Sequence, residues 1–66
     1  MRLNKAALDL LRAKNCITVK ELARKAEISQ ATIHTGYKRD IDPLPIGKLA
    51  RALNARVEDI IIQEED

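Results

Sequence analysis

The chain has 66 residues, with 12 Lys and Arg against 10 Asp and Glu for a formal net charge of +2; that is one small domain, able to bury only about 60% of its unfolded surface. One cysteine, Cys16, and one histidine, His34, exclude an internal disulfide and a Cys/His metal site, so stability must come from helix packing, with or without a second subunit. The N-terminal stretch MRLNKAALDLLRAKN is charged throughout, unlike a signal peptide, and no apolar run reaches membrane length, so a soluble protein in the reducing cytoplasm is expected.

Apolar residues are mostly Ala, Leu and Ile, with Tyr37 the sole aromatic, a mixture that favours helices over strands. In the first helix Leu3, Ala7, Leu10 and Leu11 fall at helical spacing and Leu8 widens their stripe. Arg2, Lys5, Asp9 and Arg12 take the opposite side, and Asn15-Cys16 closes the element. Thr18 stands next as an N-cap with Glu21 three residues on, a capping box that satisfies two free backbone donors. Val19, Leu22, Ala23 and Ala26 then repeat at i, i+3, i+4 and i+7, and the helix stops near Ala26 or Glu27.

Ser29 caps again after a turn of about three residues, which forces two consecutive helices to cross steeply. Ala23 gives room at the crossing and Ile33 plugs the angle. The helix that follows is sparing with anchors: Ile33 points inward and Gln30, Ala31, His34 and Thr35 point outward at about 100° steps. Asp42-Pro43 opens a further helix, with Asp as cap and Pro at the first helical position. Ile46, Leu49, Ala50 and Leu53 form its inward face, and Asn54 suits a left-handed stop. Val57 to Ile62 is a short apolar element before a frayed acidic end.

Charge is distributed unevenly. Residues 1–56 hold all 12 basic residues and half of the 10 acids, whereas residues 57–66 hold the other half and no base. A basic body suits a polyanion, because Lys and Arg displace its counterions. No nucleophile–base pair, metal set or Gly-rich phosphate loop is present, so the chain is not expected to be an enzyme or to need a cofactor.

The blocks ITVKELARKAEISQATI, DPLPIGKLARALN and VEDII together resemble the Cro/repressor-type, lambda-repressor-like (XRE) helix-turn-helix family over residues 8 to 61. The resemblance implies an all-α fold: one domain over 1–66, a compact bundle of about five short helices. It also implies a dimer reading near-palindromic double-stranded DNA, with the recognition helix at 30–36 in the major groove. Base contacts are then expected from Gln30 (adenine), Ala31 (a thymine methyl), His34 (an acceptor such as guanine N7) and Thr35. Phosphate contacts fall to the helix starts at Thr18 and Ser29 and to Lys38, Arg39 and Lys48. Tyr37 is expected to pack, with a phosphate hydrogen bond as its other use; Arg12, Lys14, Arg24 and Lys25 are read as solvated charges.

Three positions depart from the family pattern. Glu27 stands where Gly is frequent, at a backbone position tending to positive φ, with strain of about 1 kcal/mol. Gly36 replaces a large apolar residue, so either Tyr37 swings in or the helix ends at Gly36. Val19 replaces a phosphate-binding Gln. The function implied is sequence-specific DNA binding by a small transcriptional regulator, a repressor in the leading reading. The alternative is an antitoxin-like or anti-repressor interaction module, which Val19, Gly36 and the acidic end favour. In the run Ile60-Ile61-Ile62, one side chain is expected to stay exposed and contact a twin subunit.

Overall fold

The computed structural model describes residues 1–63. Among them are four α-helices, α1 (Lys5–Asn15), α2 (Val19–Ala26), α3 (Gln30–Lys38) and α4 (Pro43–Ala52), followed by a single 3₁₀ turn at Val57–Asp59. The bundle of about five helices is therefore four α-helices and one short turn. The acidic end expected to fray, Glu64 to Asp66, lies outside the described residues.

Local side-chain caps set the helix starts. The Thr18 hydroxyl accepts from the Glu21 N–H at 3.0 Å while the Glu21 carboxylate accepts from the Thr18 N–H at 3.1 Å, completing the expected capping box. Ser29 accepts from the Thr32 N–H at 3.1 Å, and Asp42 from the Leu44 N–H at 3.2 Å ahead of Pro43. Three stops use left-handed residues, Cys16 (φ 52°), Glu27 (φ 60°) and Asn54 (φ 54°). Glu27 thus holds the positive φ expected of it. Glu27→Gly should remove about 1 kcal/mol of strain and raise the melting temperature by several degrees in a calorimetric scan; an unchanged or lower value would show that the turn bears no strain.

The capping carboxylate also gives an acid limb. Thr18, through its backbone N–H first and its hydroxyl second, holds Glu21 below its ordinary value of 4.5. Asp9 is likewise lowered from 3.8 by its hydrogen bonds to Lys5 and then Arg12. Because folding depresses these values, their stabilisation is present above the unfolded values and is lost as pH falls through the folded ones. Thermal melts should be flat from pH 7 to about 5 and decline below about 4.5, with a shallower decline for Glu21→Gln; an identical decline would exclude Glu21 as a contributor.

The core lies where α2, α3 and α4 meet. Leu22, Ile33, Ile46 and Leu49 are fully buried, and Ala23, Ala26, Ala50 and Ala52 let the backbones approach. Leu8 and Ile60 seal the two ends of the chain onto the same cluster.

The start of the chain differs from expectation. Asn4 is the N-cap of α1, its side chain accepting from the Ala7 N–H at 3.1 Å, so Leu3 is not helical. Freed from the helix, Leu3 turns into the core, and Leu10, expected inside, is 61% exposed. Arg12 is no free solvated charge either: it pairs with Asp9 at 3.0 Å and donates to the Ile17 carbonyl at 3.3 Å, bracing the α1–α2 junction. Of the three isoleucines, Ile60 is buried, Ile61 bridges antiparallel to Leu3, and Ile62 is exposed.

Candidate nucleic-acid interface

Helix α3 runs two residues further than expected, to Lys38, and passes straight through Gly36. Ile33 and Gly36 are its buried positions. Gln30, Ala31, His34 and Lys38 are exposed and share the opposite arc, at steps of about 100° per residue. Thr35 is half-buried at the margin of that arc. The result is a helix pinned on one side and open on the other.

Neighbours limit how two of these side chains move. The His34 ring meets Tyr37 edge-on, with centroids 5.9 Å apart and planes at 78°. Tyr37 in turn receives the Lys5 ammonium 5.7 Å from its ring centre. The Tyr37 hydroxyl is buried with no hydrogen-bond partner among the described residues, which excludes the phosphate contact considered for it. Burial first, and the Asp9 carboxylate second, push its phenol above the ordinary value of 10.0. Tyr37 packs and positions His34; it does not replace the side chain that Gly36 lacks.

The two expected cap sites present different chemistry. At Ser29 the hydroxyl is shared with Thr32, 2.8 Å between oxygens, and no acid stands in the first turn of α3. At Thr18 the Glu21 carboxylate already occupies the helix start. Both helices leave the N–H groups of their first residues without intrahelical partners, but only α3 offers them without a competing anion. Val19, in place of the family's Gln, is half-buried against the core.

Among the described residues the acids are spent in a telling way. Asp9 pairs with Lys5 and Arg12, Asp59 with Arg56, and Asp40 with the N-terminal amine. No ion pair there involves Lys20, Arg24, Lys25, Lys38, Arg39, Lys48 or Arg51. Apart from Arg2 and Lys14, the cations outside these ion pairs lie on and beside α2, α3 and α4. Lys38 and Arg39 stand exposed at the end of α3. Lys48, half-buried, gathers with Lys25 and Arg51 around a groove that Ala26, Glu27 and Ala52 complete. Sequence reasoning missed Lys25 and Arg51. Ala26 and Ala52 carry the signal, since small residues on two helices let cations on both come close, but which helices meet is not local information.

A family model described as the Cro/C1-type HTH DNA-binding domain matches residues 7–66. A type II methyltransferase from Staphylococcus aureus is 36% identical over 69 residues, covering 100% of this chain. The chain spans 16% of the length of that relative. No solved structure matches. No described helix is long and apolar enough to cross a membrane.

Proposed function

The chain belongs to the Cro/C1-type helix-turn-helix DNA-binding family, and on that premise we propose that it recognises one particular double-stranded sequence as a small cytoplasmic transcriptional regulator, acting as a repressor. The observation that carries this reading is the open arc of Gln30, Ala31, His34 and Lys38, opposite a fully buried Ile33, on a helix with no acid in its first turn. Such a helix fits the major groove with its first turn at the base edges. Gln30 pairs in bidentate fashion with adenine, Ala31 meets a thymine methyl, His34 donates to an acceptor, and Thr35 contacts from the margin. Lys38, Arg39 and Lys48 hold phosphates, as do the helix starts at Ser29 and, more weakly beside Glu21, at Thr18. The reading assigns the chain no catalysis and no cofactor.

Two copies on a near-palindromic site would place two such helices one DNA turn apart. The exposed large apolar side chains available to a twin subunit are, among the described residues, Leu44 (64% exposed), Leu10 (61%), Met1 (46%) and Ile62 (42%).

Selection from a random duplex pool tests the proposal. A defined motif should emerge, repeated with opposite polarity, and its binding should weaken steeply with salt. Equal binding of selected and random duplex at every salt concentration would overturn it. The interaction-module reading is favoured by the Glu21 carboxylate at the start of α2 and by Val19 beside it. Recovery of one stoichiometric protein with no DNA retained would replace the first reading by that one.

A further inference from the structure

We propose that Leu3 and Arg2 are positioning residues for DNA recognition: the arm they form caps the end of α3 from 33 or more positions away and fills the space that Gly36 leaves open. The inference rests on the DNA-binding reading of α3.

The end of α3 is unlike the others. Helices α1 and α2 stop at left-handed residues and α4 at Leu53 just before one, Asn54, whereas α3 stops at Arg39 in an extended conformation (φ −153°). A helix leaves its last carbonyls without partners, and in α3 two of them are taken by the arm. The Leu3 N–H donates to the Gly36 carbonyl at 2.8 Å, and Arg2 Nε donates to the Tyr37 carbonyl at 3.2 Å. Arg2 also brings positive charge to the negative end of the helix dipole.

Gly36 has no positive φ, so its backbone does not require glycine. Its surroundings do. A Cβ there would lie 2.7 Å from Leu3 Cδ1 and 3.0 Å from Ile41 Cδ1. Leu3, 1% exposed, sits in the volume a side chain at 36 would claim. A helical glycine costs about 1 kcal/mol relative to alanine; here it admits a neighbour that both packs and caps.

The arm is held on both flanks. On one, the Ile41 N–H donates to the Met1 carbonyl at 2.6 Å; on the other, Asn4 N–H reaches the Ile60 carbonyl at 2.9 Å and Ile62 N–H reaches the Arg2 carbonyl at 2.8 Å. A strap fixed on both sides and bonded to the recognition helix determines where the Lys38 end of that helix lies.

The test compares Leu3→Ala, Leu3→Met and the double variant Leu3→Ala/Gly36→Leu with the unaltered chain. Leu3→Ala should weaken binding of the selected duplex about tenfold, the size of one lost base contact, while random-duplex affinity changes less than about twofold. Leu3→Met, which conserves volume, should retain the preference, and the double variant should recover most of it by refilling the space from the helix side. Proportional loss on both duplexes, or no recovery in the double variant, would overturn the inference. Amide exchange without DNA gives the second readout. The Tyr37, Lys38 and Arg39 amides should exchange at least tenfold faster in Leu3→Ala while α2 amides hold their rates; unchanged rates at the end of α3, or equal acceleration throughout, would count against it. If the unaltered chain shows no duplex preference yet exchange depends on Leu3, the DNA reading fails and the capping role stands.

Discussion

Ile33→Ala should leave the domain largely unfolded at room temperature. Ile33 is fully buried and is the only large aliphatic side chain of α3. Truncating a buried isoleucine typically costs about 2–5 kcal/mol, lost transfer energy plus the cavity left behind. A 66-residue chain at roughly 0.05–0.15 kcal/mol per residue has only about 3–10 kcal/mol in total. The site has little freedom to collapse, because Ser29 fixes one end of α3 and the Leu3–Gly36 contact fixes the other. In urea, with a slope near 1 kcal/mol/M for a chain this small, the midpoint should fall by about 2 M or more, or the folded baseline should vanish. A midpoint within about 0.5 M of the unaltered chain would mean that Ile33 does not hold the two helices apart, and the presentation of Gln30 would need another cause.

What made Ile33 legible is locality. A cap bonds to a backbone group two or three residues away, so Thr18, Ser29, Asp42 and Asn54 announce themselves within a window of four. Once those stops and starts are placed, the apolar residues between them have one way to face, and Leu22, Ala23, Ile33, Ile46 and Leu49 are all buried as expected. Periodicity failed where a cap was overlooked. Counting Leu3 into the first helix set its phase and turned Leu10 inward; with Asn4 as the cap, the inward residue is Leu8 and Leu10 faces solvent.

Apart from Arg12, whose partners Asp9 and Ile17 are three and five residues away, the remaining differences involve partners distant in the chain. Gly36 left two readings open, Tyr37 swinging in or the helix ending there, because the residue that occupies its space is Leu3. Ile60 and Ile61 could not be apportioned between core and surface without knowing that the chain's first residues return to pair with them. Lys25 looked solvated, and Arg51 drew no reading at all, until α2 and α4 brought them to one groove with Lys48. Local chemistry specified the helix-turn-helix itself, whereas the strap behind it and the cationic groove beside it depend on the closed fold.

Gln30→Ala and Lys38→Ala should separate reading from holding. Both side chains are exposed on the same arc of α3, at its first and last residues, so neither change should alter stability by more than about 0.5 kcal/mol. Their chemistry differs. A carboxamide offers a donor and an acceptor that match adenine alone, and a good bidentate pair discriminates by about 1–3 kcal/mol. An ammonium is a point charge that any phosphate satisfies and that displaces counterions. Gln30→Ala should therefore weaken the selected site by about 5- to 150-fold, accept other bases at one position, and leave the salt slope unchanged. Lys38→Ala should weaken selected and random duplex by the same factor and reduce the slope of log affinity against log salt by about one unit. Titrations of both duplexes at four salt concentrations measure all of these quantities. If Gln30→Ala lowers random-duplex binding as much as selected binding, the first turn of α3 does not read bases, and the groove-facing orientation assigned to that helix is wrong.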